Sequence, residues 1–151
     1  MKIGMISDIH GNIQALIQVL EALDRQGADM ILCAGDLVCY GANPNEVLQL
    51  LRQRNIPSVI GNYGAAVVWD LPSASSIPSS PQTEPLKQAA LAWTKRNTSY
   101  KSIAYLRRLP WRLDYQIDGL RISVLHAGPD RLDESFSPDS PDRLEDLALR
   151  L

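Results

Sequence analysis

Only two cysteines occur in the chain, Cys33 and Cys39. They lie close together without the spacing of a disulfide-stapled secreted protein, so reduced thiols are the default. No apolar run approaches the roughly 20 residues that cross a bilayer. The opening Met1-Lys2-Ile3-Gly4-Met5-Ile6-Ser7-Asp8 holds one cation, and an acid interrupts it too early for a signal peptide. A cytoplasmic protein with no membrane partner is expected. Neither charge sign is in excess: 15 Lys and Arg face 17 Asp and Glu, for a net charge of -2. Bulk electrostatics therefore gives no attraction to DNA, RNA or anionic lipid. Internal repeats, RNP aromatics, zinc-finger spacing and a basic helix are all missing, which argues against a specific nucleic-acid partner. Glycine-rich dinucleotide and P-loop fingerprints are missing too.

What is present is a chain of 151 residues with 45% hydrophobic content, enough for one domain with a real core. Lys2 to Ile6 predicts a strand. Ile13, Leu16, Ile17, Leu20 and Leu23 recur at helical spacing up to Gly27, which is a stop signal. Asp29 to Ala34 predicts a second strand ending at Gly35-Asp36. Asn43-Pro44-Asn45-Glu46 then has the form of a capping box with proline at the first helical position, opening a helix to about Arg54. Ile56 to Ile60 predicts a third strand closed by Gly61-Asn62. This β-α-β-α-β order with short connections favours an α/β fold with a parallel sheet.

Residues 71–85 are rich in Ser and Pro and predict a surface loop within the domain. Helical patterning returns over Leu86 to Lys95 and Ser102 to Arg108. Trp111 to Ile117 and Leu120 to His126 then predict an antiparallel hairpin, because Asp118-Gly119 accepts positive φ at both central positions. Ser140-Pro141 can open a last helix with Leu144, Leu147, Ala148 and Leu151 on one face.

The chemistry-bearing residues fall at strand ends. Asp8 and His10 point to the same side of extended chain and can grip one cation. Asp36 and Asn62 would separately be ordinary turn residues. In an open α/β sheet, however, the carboxyl ends of the strands share the rim where ligands bind. His126, one of only two histidines, ends a further strand before Ala127-Gly128. Mixed carboxylate, amide and imidazole donors suit Mn²⁺, Fe or Zn²⁺. Two cations about 3.5 to 4 Å apart would polarise a phosphoryl group and lower the pKa of a bridging water toward neutrality. Asn12 is either a helix cap or a phosphate contact. Trp93 and Trp111 predict core anchors, whereas Trp69, beside the Ser/Pro loop, suits a groove. Cys39 is expected to be structural.

The order Asp8-x-His10, Gly35-Asp36, Gly61-Asn62, His126 resembles the calcineurin-like metallophosphoesterases. The stretch from Gly35 through Glu46, with Ala90-Leu91-Ala92-Trp93-Thr94 and Tyr105 to Pro110, is similar to their small bacterial YfcE-like phosphodiesterases and phosphatases. That resemblance implies an αββα sandwich of two sheets flanked by helices, and a phosphoester substrate. It also implies two divalent ions, by expectation Mn²⁺, with Fe, Zn or Ni as alternatives. By the same resemblance Asp8 and His10 hold the first metal, Asp36 bridges, and Asn62 with His126 holds the second.

Two departures qualify those expectations. Relatives follow Gly-Asn with a polar residue and an acid, whereas this chain has Tyr63-Gly64. Tyr63 can donate a hydrogen bond, yet a phenol with pKa near 10 is a poor general acid at neutral pH. The family's Gly-His-x-His segment is also missing, so residues 1–151 are expected to be a C-terminally incomplete domain, about the front two-thirds, with the last strands missing. Ile122, Val124 and Leu125 would then be exposed at a sheet edge and favour homo-oligomers. The alternatives to an active hydrolase are a catalytically impaired binding or regulatory module and a non-functional fragment.

Overall fold

The computed structural model describes residues 1–75, 80–134 and 141–150. Its first half is the predicted alternation of strand and helix. β1 (Ile3–Ile6) and β2 (Met30–Cys33) pair in parallel, Ile3 opposite Met30 and Ile6 opposite Cys33. Between them α1 (Ile13–Arg25) buries Leu16 and Leu20, the positions that the helical spacing marked. α2 (Pro44–Gln53) buries Val47, Leu48 and Leu51 and packs with α1 and the later helices around the main core.

The predicted third strand is reduced to one parallel bridge, Cys33 with Ser58. Val59 and Ile60 are buried, so the apolar run is explained by packing more than by a ladder. The capping box also does not close. Asn43 makes no side-chain cap, and Pro44 alone sets the first turn. Asn45 works across elements instead. Its amide donates to the Asn97 carbonyl at 2.8 Å, and its oxygen accepts from Ser99 N at 2.8 Å and Ser102 Oγ at 2.7 Å.

Asn62 does not end a strand but opens α3 (Asn62–Val68), a helix the sequence reading did not include. α4 (Glu84–Asn97) begins slightly earlier than expected, and α5 (Tyr100–Leu106) starts behind Ser99, whose hydroxyl accepts from Ser102 N. Of the Ser/Pro segment, 71–75 and 80–83 form bends and turns, and 76–79 lie outside the described residues.

The hairpin is formed as expected: β3 (Arg112–Ile117) pairs antiparallel with β4 (Leu120–Leu125), and Asp118 (φ 51°) and Gly119 (φ 81°) both turn left-handed. Its inner face lies on the β1–β2 layer. Val124 is buried with Leu32 and Val59 in a second, smaller core, with Ile122 packed against it. The expected exposure of Ile122 and Val124 at a sheet edge is thus corrected, because β2 presents Leu32 to the hairpin and Cys33 to the helices. Trp93 (38% exposed) and Trp111 (48%) are not core anchors. α6 (Pro141–Arg150) leaves Leu144 exposed, while Leu151 and the side chain of Ala148 lie outside what is described.

Candidate metal centre

The loops that follow β1 and β2 run side by side. Backbone bonds continue the parallel pairing past the strand ends, from Asp8 N to Gly35 O (3.0 Å), His10 N to Asp36 O (2.9 Å) and Gly11 N to Leu37 O (2.9 Å). This stitching holds Asp8, His10 and Asp36 with positive φ, at 54°, 48° and 50°. Such backbone is uncommon for residues other than glycine, although Asp and His tolerate it best, and it concentrates at functional sites. One ligand atom from each of these three residues lies within 4.8 Å of the others.

Asp36 is the centre of the arrangement and is only 3% exposed. Its Oδ1 accepts from Tyr63 N at 3.1 Å. Its Oδ2 receives no hydrogen bond among the described residues, yet lies 3.7 Å from His10 Nε2 and 3.5 Å from His126 Nε2. Burial pushes the Asp36 carboxyl above its ordinary range, and the two imidazoles oppose that push.

The orientation of each imidazole is fixed by a carbonyl. His10 Nδ1 lies 3.2 Å from Val38 O, and His126 Nδ1 lies 2.9 Å from Ala34 O. A carbonyl can only accept, so each Nδ1 carries a proton and each Nε2 faces inward, with a lone pair there whenever the ring is neutral. The His10 lone pair meets Asp8 Oδ1 at 3.6 Å and Asp36 Oδ2. The His126 lone pair meets Asn62 Oδ1 at 2.9 Å and the same Asp36 oxygen. Asn62 cannot relieve this by turning over its amide, because Nδ2 donates to Ala74 O at 2.9 Å. Two sets of acceptor atoms therefore converge and share Asp36 Oδ2. Such a set needs a proton on each ring or a cation in each cluster, and its oxygen and imidazole chemistry fits divalent transition metals.

Gly61 is required by close approach. A Cβ there would overlap the Asp36 carboxylate and its backbone nitrogen. Gly61-Asn62, a strand end by its sequence pattern, is in the structure a helix start that lets Asp36 reach Tyr63 N.

Asp8, His10, Asp36, Asn62 and His126, the five predicted ligands, line one open cleft of about 630 Å³, together with Tyr63. Asn12 is not among its lining residues: its Oδ1 caps α1 by accepting from Ala15 N at 3.0 Å. Tyr40 and Lys87, which the sequence reading passed over, do line it. The Tyr40 and Tyr63 hydroxyls are hydrogen bonded to each other, and both rings lie edge-on to His10, at centroid distances of 4.9 and 5.5 Å. Burial raises both phenols above their ordinary range, and Tyr40 raises Tyr63 further. The signal for Tyr40 was its place in the Gly35 to Glu46 loop; Lys87 comes from α4 and had no sequence signal.

Residues 1–149 match the sequence model of the calcineurin-like phosphoesterase superfamily domain. An uncharacterised protein of Methanocaldococcus jannaschii is 34% identical over 145 residues, which is 96% of this chain and 56% of that protein. The crystal structure of a metallophosphoesterase from Sphaerobacter thermophilus is similar at TM-score 0.65 and 34% identity, over 91% of this chain and 51% of its own. A hypothetical protein from Pyrococcus horikoshii shares the fold at TM-score 0.78 and 20% identity, over 98% of this chain and 64% of its own. The chain thus spans between half and two thirds of the length of these relatives.

Proposed function

Because the chain belongs to the calcineurin-like phosphoesterase superfamily, we propose that it is a metal-dependent hydrolase of phosphomonoesters or phosphodiesters, with Mn²⁺ as the expected ion. Asp8 and His10 would hold one divalent cation, Asn62 and His126 a second, and Asp36 would touch both. When bound, such a pair supplies Lewis-acid polarisation of the phosphoryl group and a nucleophile competent at neutral pH. The observation that carries this reading is the convergence of both Nε2 atoms on Asp36 Oδ2, at 3.7 and 3.5 Å.

The chain's own residues have distinct tasks in this proposal. Val38 O and Ala34 O hold the two imidazoles in the tautomer that turns Nε2 inward. Tyr63 N draws Asp36 Oδ1 away from the cleft and leaves Oδ2 facing it. Tyr63, held protonated by burial and by its hydrogen bond with Tyr40, is not the acid for the leaving group; with one proton shared between the two hydroxyls, the pair keeps a single O–H to donate to a phosphoryl oxygen. Lys87 lines the cleft, and its side chain makes no hydrogen bond or ion pair among the described residues, so its ammonium can meet a phosphate oxygen.

The test is calorimetric titration with Mn²⁺ beside hydrolysis of bis(p-nitrophenyl) phosphate and p-nitrophenyl phosphate. Metal binding with Mn²⁺-dependent hydrolysis, both lost in Asp36→Ala, is expected. Binding without hydrolysis of either ester assigns the chain to a metal-binding module instead, and metal binding unaffected by Asp36→Ala rules out the shared carboxylate.

A further inference from the structure

Beside the metal cleft lies a second concavity of about 410 Å³, a volume usual for small-molecule sites. Its walls come from three separate segments. Trp69 stands at the end of α3, Trp111 just before β3, and Leu71 and Leu132 close the sides. Both indoles are about half exposed, at 47% and 48%. Neither stacks on another ring or donates its N–H within the described residues. Two large aromatic surfaces left wet beside a cleft are unusual, since such rings are normally covered.

The concavity opens directly into the cleft. Asn62, Ser75, Leu132 and Asp133 line both. Asn62 is the joint: its Oδ1 faces His126 Nε2, while its Nδ2 binds Ala74 O in the wall of the groove. The groove is therefore within reach of the esterified alcohol of a phosphoryl group placed against Asp36 and His126.

We propose that the Trp69–Trp111 groove is the subsite for the alcohol portion of the substrate and selects planar aromatic groups, an aryl ring or a nucleobase. This inference rests on the phosphoester-hydrolase reading. Indole faces bind π-systems by stacking whatever the pattern of ring nitrogens, and the free N–H groups add donors for ring or carbonyl acceptors. Asp133 and Asn62 supply the polar edge of an otherwise apolar groove. An aliphatic alcohol would gain none of the stacking.

The test uses the full chain with Mn²⁺ and two phosphonates whose carbon–phosphorus bonds resist hydrolysis. Phenylphosphonate should change tryptophan emission and bind about tenfold more tightly than methylphosphonate, a difference of about 1.4 kcal/mol. Trp69→Leu and Trp111→Leu should each abolish that preference without altering the affinity for methylphosphonate. Trp→Phe at either position should restore part of it, which a purely structural role would not produce. Adenosine 5′-monophosphate that displaces phenylphosphonate at lower concentration than ribose 5-phosphate assigns a nucleobase; equal displacement by the two assigns a simple aryl group. Equal affinity for the two phosphonates overturns the subsite. So does emission that changes with protein concentration in the absence of ligand, because a second copy then covers the indoles. Hydrolysis without aromatic preference sinks this inference alone, and aromatic preference without hydrolysis sinks only the hydrolase reading.

Discussion

Replacing Gly61 by alanine separates steric demand at the centre from ordinary backbone preference. Gly61 has φ −94° and ψ 174°, backbone open to any residue. In free space Gly→Ala at such a position would stabilise the fold by about 0.4–1 kcal/mol, through the unfolded chain. Here the new methyl overlaps Asp36 Oδ1 and Asp36 N. The second contact is backbone, stitched to the β1 loop by the neighbouring bonds, so the strain cannot be relieved by a rotamer change. Overpacking of this kind costs about 1–3 kcal/mol, and the fixed neighbour places this site toward the upper end. For a chain of this size that is a fall in Tm of about 4–12 °C.

Thermal denaturation with EDTA reads the packing cost, and the same scan with Mn²⁺ reads the centre. At a hundredfold excess over Kd, a bound ion adds about 2.7 kcal/mol to the parent, and Gly61→Ala should lose most of that increment because Asp36 is displaced. Gly27→Ala is the control. It has open space but φ +67°, so it should cost stability through backbone strain alone and keep the full Mn²⁺ increment. A Gly61→Ala protein that melts at or above the parent would refute the close approach. One that melts lower yet keeps the full Mn²⁺ increment would refute the link from Gly61 to the metal through Asp36.

Other consequences are as direct. Leu48→Ala removes a side chain that is 1% exposed in the main core and should cost about 2–5 kcal/mol in urea denaturation. Asn12→Ala removes the α1 cap and should cost about 1 kcal/mol while leaving the rate per folded, metal-loaded chain unchanged; a large loss in that rate would make Asn12 a substrate contact. Cys33 is buried and its thiol is pushed up to about 11, and burial raises Cys39 as well. A thiol reagent at pH 8 should therefore label neither in the folded protein and both in denaturant. Burial raises the Tyr105 phenol, so the unfolded chain ionises first as pH passes about 10 and folding stability falls from there upward. Tyr105→Phe should flatten that alkaline fall in pH-dependent denaturation.

Those residues also show where the sequence was informative. Asp8, His10 and Asp36 could be placed because the end of a short apolar run is a strand end, and parallel strands put their ends on one rim. The hairpin could be placed because Asp118-Gly119 is a local signal with a local cause. α3 was missed for an opposite reason. Tyr63 through Val68 are all buried, so the segment has no polar face and no helical periodicity, and Gly61 offers no capping side chain. Ile56 to Ile60 is apolar because Val59 and Ile60 are packed from both sides, which looks the same in sequence as a paired strand. Asn45 sits within a cap motif in sequence, while its partners lie more than fifty residues away. Lys87 and Trp111 reach the cleft and the groove only through tertiary folding, which no local pattern announces.

The hairpin that delivers His126 has a further consequence in time. Asp8, His10 and Asp36 are synthesised within the first 36 residues, and Asn62 soon after, but its partner His126 is 64 residues further on. At about 5–20 residues per second, the growing chain carries the first donor set and half of the second for about 3–13 s before the last imidazole is made. In the proposed centre the donors would therefore be completed in order: those of Asp8, His10 and Asp36 come first, and the later hairpin would add His126 to a carboxylate already beside His10.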